Sequence, residues 1–211
     1  MALKVAYFQP VVIAVDNAAP VEFSKIFNLT EKLHSHPELS VDTSTYTRGG
    51  EQIQVYPNTI ELDVAWLITY LETLCKVYLD LVIRQSSTDE LKFCQPVITN
   101  IRSVRQQEGN YQELHNEPGA SISGNIYVSA PEFEDGSHTA DGQAVFRMPH
   151  AKDIGKFIMQ DTWKYTPVPG TVVVFPSYLP HTVYPWKGTG NLTVLSFDAR
   201  LSVKESDNGQ S

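Results

Sequence analysis

The sequence predicts a mainly β fold with flanking helices, on three observations. From Phe93 onward, short β-rich runs alternate with Gly, Pro, Asn and Asp turns. Two segments ahead of that region place apolar residues at three- and four-residue spacing, the period of a helix. The chain has 211 residues, 42% hydrophobic and 19% charged, so it is long enough to bury a core and too apolar for global disorder.

Each element has a local reason. Residues 11–15 are a β-branched run after Pro10 and read as a leading strand. Pro20 suits the first turn of a helix whose apolar side is Val21, Phe23, Ile26, Phe27 and Leu33, and Pro37 ends it. Residues 38–59 are polar and Thr-rich around Gly49-Gly50 and read as loop with short extended pieces. Val64, Leu67, Ile68, Leu71, Leu74, Cys75, Tyr78, Leu81 and Val82 mark a second helix, expected on the outside of a sheet. Strands are predicted at 97–105, 123–129, 144–147, 171–175 and 192–197, separated by turns such as Glu108-Gly109-Asn110, Asp141-Gly142 and Pro169-Gly170. That pattern reads as a sandwich or barrel. The expected organisation is one domain over 1–211. It has a helical support region at 1–92, a β core at 93–203 and a loose tail at 204–211.

Charge and cysteine usage exclude several functions. Net charge is −8 with no dense Lys/Arg run, which argues against a nucleic-acid partner. Cys75 and Cys94 make neither a disulfide framework nor a cysteine zinc site and read as reduced thiols. No basic-then-apolar leader opens the chain, and the most apolar long stretch, 62–83, carries Asp63, Glu72, Lys76 and Asp80. The expectation is a cytoplasmic protein with no membrane partner.

The chemistry gathers on histidines. In extended chain, residues two apart share a face, so His115 and Glu117 of His115-Asn116-Glu117 can reach one ion. His181 follows a predicted strand and a Pro-rich turn. Two histidines and one carboxylate leave open positions on an octahedral ion, the arrangement of non-haem Fe(II). Zinc is an alternative occupant. The plain alternative is a polar loop ahead of the Pro118-Gly119 turn. His34 and His36 have similar spacing but sit at a helix end, where histidine interacts with terminal carbonyls. His138 and His150 read as exposed loop residues.

Two stretches carry a family resemblance. The first is Gly109-Asn110-Tyr111 leading to His115-Asn116-Glu117-Pro118, followed by Ser123-Gly124-Asn125-Ile126-Tyr127. The second is Pro169-Gly170 through Phe175-Pro176-Ser177 to Pro180-His181-Thr182-Val183. Together they resemble 2-oxoglutarate/Fe(II)-dependent oxygenases, in a phage and bacterial subgroup related to prolyl hydroxylases. The resemblance implies a double-stranded β-helix (jelly roll, cupin-like) buttressed by N-terminal helices. It also implies Fe(II) held by His115, Glu117 and His181, with 2-oxoglutarate and dioxygen as co-substrates. The implied activity is hydroxylation, with a protein side chain as one substrate class; a homodimer is compatible.

The sequence departs from that family at two places. Glu117 stands where many subgroup members have histidine, and it restores a carboxylate. The family expects a basic residue about ten positions after the distal histidine, to pair with the far carboxylate of 2-oxoglutarate. Here that region reads Asn191, Leu192, Thr193. Candidate co-substrate residues are therefore Tyr127, Asn191, Thr193, Arg147 and Arg200, with Arg102 as a further cation. Arg147 is preferred among the arginines, since it lies on a β run between the two metal-ligand regions. Two readings from other classes stay open: a cupin-like metalloenzyme without 2-oxoglutarate, and a non-catalytic β-sandwich module with a relic site.

Overall fold

In the computed structural model, residues 11–41, 47–56, 63–85, 90–134, 141–148 and 162–203 are described. The tail expected at 204–211, His138 and His150 lie outside them.

The chain begins with β1 (Ala14–Asn17), α1 (Pro20–His34), β2 (Ser40–Val41), β3 (Thr47–Arg48), β4 (Glu51–Gln54) and α2 (Ala65–Gln85). It continues with β5 (Cys94–Gln106), β6 (Tyr111–His115), β7 (Ile122–Ser129), β8 (Glu132–Phe133), β9 (Ala144–Arg147) and β10 (Thr162–Tyr165). It ends with β11 (Thr171–Pro176), β12 (His181–Val183), β13 (Gly188–Thr189) and β14 (Leu192–Val203). A seven-stranded sheet runs β1-β11-β7-β14-β5-β4-β2, and a five-stranded sheet runs β10-β9-β12-β6-β3. Every pairing in both is antiparallel. The two sheets face each other as a double-stranded β-helix.

The large sheet is buried on both faces, which is why β11 reads as an unbroken apolar run. Val172 and Val174 point toward the helices, where Ile26, Leu29 and Leu33 of α1 meet Leu67, Leu71 and Cys75 of α2. Val173 and Phe175 point into the barrel with Tyr127, Phe146, Leu192 and Val194. The helices thus cover one face and the small sheet covers the other. Cys75 sits in the helix layer, and burial pushes its thiol up to about 12, so it is inert at neutral pH.

The short extended pieces expected within residues 38–59 take places in both sheets. β4 pairs β5 in the large sheet and β3 pairs β6 in the small one. β1 pairs β11, so the first 92 residues contribute strands as well as supporting helices. His34 also departs from its expected capping role. Its ring is buried, with Nδ1 at 3.1 Å from Glu51 and Nε2 at 2.9 Å from Ser103, so it ties α1 to β4 and β5. Burial, helped by the Arg105 charge, lowers its pKa despite Glu51. His36 turns outward to Glu38 at 2.8 Å.

Gly124 explains one part of the Ser-Gly-x-x-Tyr pattern. It lies on β7 opposite Phe197 of β14, and the Phe197 ring occupies the space a Cβ would take. Gly124→Ala is expected to destabilise the protein by about 1–3 kcal/mol through overpacking. Urea midpoints measure this, and Phe197→Leu in the same chain should return part of the loss. An unchanged midpoint for Gly124→Ala would count against this packing.

Candidate metal centre

His115 is the last residue of β6, and His181 is the first of β12, directly opposite it in register. Their rings lie 4.3 Å apart, centroid to centroid. Each ring is oriented by its own backbone. His115 Nδ1 lies 2.6 Å from the Glu113 carbonyl and His181 Nδ1 lies 3.0 Å from the Leu179 carbonyl. A carbonyl oxygen only accepts, so each Nδ1 carries a proton, and Nε2 is the atom each ring turns toward Glu117. Such outer hydrogen bonds are how metal-binding histidines are usually fixed. Phe146 stacks on His181 at 5.6 Å and Phe175 meets it edge-on at 4.8 Å. That apolar surround, with the neighbouring His115, pushes the His181 pKa down to about 4, so the ring is neutral at neutral pH.

Glu117 arrives by a different route from the one its spacing suggested. The strand stops at His115, and Glu117 sits in the loop beyond it. Glu117-Pro118-Gly119-Ala120 forms a tight turn, with Gly119 at φ 83° and the Ala120 N–H 3.4 Å from the Glu117 carbonyl. Pro second and a left-handed Gly third is the type II pattern. Ser177, just past β11, locks the turn in place. Its carbonyl accepts the Glu117 N–H at 2.9 Å, and its hydroxyl donates to the Ala120 carbonyl at 2.7 Å. The Glu117 carboxylate is then 3.6 Å from His115 Nε2 and 4.0 Å from His181 Nε2. One donor atom from each of the three residues lies within 4.8 Å of the others, a set that could hold a metal ion.

A second carboxylate and an arginine stand behind the three. Arg102 of β5 donates to Glu117 and, at 2.7 Å, to Asp198 of β14. Asp198 also accepts from Ser123 at 2.7 Å and Asn100 at 3.0 Å, and Asn100 accepts from Gln54. Burial alone would raise the Glu117 pKa, but the adjoining His115 and Arg102 outweigh it and hold the carboxylate below its usual range. Glu117 is therefore ionised and aimed at the gap between the two imidazoles.

The remaining expected residues are dispersed. Tyr127 is buried inside the barrel, its ring 5.4 Å from Tyr165, and burial raises its phenol pKa. Arg147 is exposed at the end of β9. It lines a pocket of about 350 Å³ with Val11, Ile13, Met148 and Trp163, whose wall includes Phe146. Asn191 precedes β14 and offers its carbonyl to Ser129 at 2.8 Å. Thr193 faces the helix layer, its hydroxyl 3.2 Å from Arg105 Nε, and Arg105 continues to Glu31 of α1. Arg200 follows a register shift after Asp198 and is exposed, donating to the Gly119 carbonyl outside the Glu117 turn. The structure therefore brings Arg102 to the three ligand candidates and leaves Arg147, Thr193 and Arg200 away from them. Ser123 and Ser177 lie in the stretches that carry the resemblance, but their roles, and that of Asp198, depend on which strands become neighbours.

The comparisons with known proteins bear on this geometry. Residues 101–198 match the family described as "Putative 2OG-Fe(II) oxygenase". That segment resembles the 2OG-Fe(II) oxygenase superfamily. It spans β5 to β14 and includes every residue of the candidate centre. No curated protein matches the sequence. Among solved structures, a prolyl-4-hydroxylase from Pseudomonas putida aligns at TM-score 0.58 and 15% identity, covering 89% of this chain and 92% of its own. A viral collagen prolyl hydroxylase from Paramecium bursaria Chlorella virus-1, in a 2OG complex, aligns at 0.54 and 15%, covering 90% and 96%. A Trichoplax adhaerens prolyl hydroxylase with a hypoxia inducible factor peptide fragment aligns at 0.59 and 14%, covering 89% and 83%. At these identities the likeness is one of fold, the jelly roll of 2OG-Fe(II) oxygenases.

The family match and the three converging donors support Fe(II) and 2-oxoglutarate as cofactor and co-substrate. The donor chemistry fits the metal: two imidazoles with Nε2 turned toward Glu117 and one ionised carboxylate converge within 4.8 Å. Among the described residues, no helix is long and apolar enough to cross a membrane.

Proposed function

We propose that the oxygenase hydroxylates a side chain of a protein substrate, with His115, Glu117 and His181 as the three iron ligands. The observation that carries the ligand assignment is the pair of Nδ1–H···O=C bonds, which turn both Nε2 atoms toward one gap beside an ionised Glu117. When bound, iron and 2-oxoglutarate supply the oxidising chemistry: dioxygen, 2-oxoglutarate and a substrate C–H give succinate, carbon dioxide and a C–OH.

The chain's own residues provide the setting. Arg102 and Ser177 hold the Glu117 carboxylate and its turn. Phe146 and Phe175 shield His181 from water. The pocket beside Phe146 is large enough for one side chain, and Arg147 is a single cation at its wall. The peptide seen on the Trichoplax enzyme supports a protein substrate by analogy of fold.

Anaerobic titration of the Fe(II)-loaded protein with 2-oxoglutarate tests the first half of this reading. The visible metal-to-ligand charge-transfer band is expected to grow and saturate. Proteome-derived peptides incubated with the loaded enzyme test the second half, with a gain of one oxygen matched to succinate formed. Succinate released equally with and without peptide, and no oxidised residue, would reject a protein substrate.

A further inference from the structure

Among the described residues, two buried donors inside the barrel have no partner. Gln106 and Trp186 are each 2% exposed, and neither Gln106 Nε2 nor Trp186 Nε1 meets an acceptor. A buried N–H without an acceptor has given up its water and received nothing in return, and native interiors keep few of these.

The pair share one end of the barrel. β5 and β14 keep an unbroken register from Gln106↔Leu192 to Asn100↔Asp198. Gln106 lies four residues from Arg102 on that ladder, so its side chain shares the inward face that takes Arg102 to Glu117. Leu192, opposite Gln106, packs in one cluster with Trp186, Tyr127 and Val194. Asp198 and Arg102 mark the metal end of these strands, and Leu192 with Gln106 marks the far end.

The inward face of β14 at that far end offers Leu192 and Val194, with no cation. A carboxylate has only acceptor oxygens, and two of them match two N–H donors. We propose that Gln106 and Trp186 form a neutral receptor for the far carboxylate of 2-oxoglutarate, in place of a charged residue. This rests on the iron and 2-oxoglutarate reading of the same barrel.

A neutral receptor has distinct consequences. Charge-assisted hydrogen bonds are about twice as strong as neutral ones. Replacing the far carboxylate of 2-oxoglutarate by an amide should therefore weaken binding by less than about tenfold. Removing a donor should weaken 2-oxoglutarate binding by roughly tenfold. It should also relieve an unpaired group in the ligand-free protein.

The experiment uses full-length protein loaded anaerobically with Fe(II) and titrated with 2-oxoglutarate. Gln106→Leu and Trp186→Phe keep apolar bulk and delete one donor each. Each is expected to lose 2-oxoglutarate affinity while keeping wild-type Fe(II) affinity. The ligand-free melting temperature of Gln106→Leu should stay level or rise, whereas a purely structural role would lower stability and affinity together. In wild-type protein, the Trp186 indole N–H resonance should shift on adding 2-oxoglutarate, assigned against Trp66→Phe and Trp163→Phe spectra. That reading does not depend on any Trp186 variant folding. A saturating charge-transfer band with an unmoved Trp186 resonance, or with wild-type affinity in Gln106→Leu, would overturn the receptor and leave the iron reading standing. Bound iron with no band in wild-type protein would overturn both.

Discussion

His115→Ala and His181→Ala should each remain folded and fail to hold stoichiometric Fe(II). Each variant leaves two of the three converging donors, one imidazole and Glu117. Loss of an outer hydrogen bond to a metal ligand already lowers affinity 10- to 100-fold, so loss of a ligand itself should lower it by at least about 100-fold. Folding should survive because neither ring holds the sheets together. His115 lies at the end of β6, and the β12 pairing beside His181 runs through backbone bonds that alanine keeps. Asn116 is exposed between the two acidic and imidazole ligands, and Asn116→Ala should bind iron as the wild type does. Calorimetric titration with Fe(II) under anaerobic conditions, alongside circular dichroism, makes the measurement. Wild-type iron affinity in both histidine variants would reject the site.

Arg102→Met should produce the largest loss of stability in the metal-free protein. Arg102 is the shared partner of two carboxylates, Glu117 and Asp198, and all three side chains are largely buried. Methionine fills similar volume but leaves both charges uncompensated. Breaking a buried ion pair from one side destabilises by about 3–5 kcal/mol. Asp198 keeps its bonds from Ser123 and Asn100, so Glu117 should bear most of the loss. A divalent ion beside Glu117 would take over part of the compensation, and an ion that binds only the folded state adds stability by mass action. The drop in melting temperature should therefore be smaller with Mn(II) present than without it. Equal stability of Arg102→Met and wild type in the metal-free state would show that the pair contributes nothing net.

The elements most readable in the sequence were those whose pattern arises locally. Pro20 and the apolar spacing of residues 21–33 placed α1, and the nine apolar positions from Val64 to Val82 placed α2. The strand at Ala144–Arg147 was predicted with its observed bounds. β14 runs to Val203, beyond the predicted 197, because Asp198 interrupts the apolar pattern. That aspartate is polar yet faces inward, where Arg102, Asn100 and Ser123 satisfy it. Residues 38–59 read as loop with only short extended pieces for the same reason. Glu51 and Gln54 are polar strand residues whose partners, His34 and Asn100, lie far away in sequence.

The sequence by itself determined the helices, the strand-rich second half and the three residue types that now converge, His115, Glu117 and His181. Their side-chain chemistry is intrinsic, and the turn signals around them are local. Only the tertiary structure decided how that chemistry is supported. Strand register set β6 against β12 and so placed the two imidazoles together, while Ser177 drew in the Glu117 turn from outside the strand. It carried Arg102 to Glu117 and turned Thr193 toward the helices, because alternate residues of a strand point to opposite faces and the pairing fixes which face is inside. Pairing between strands far apart in sequence is a property of the assembled sheet, and no window of the chain contains it.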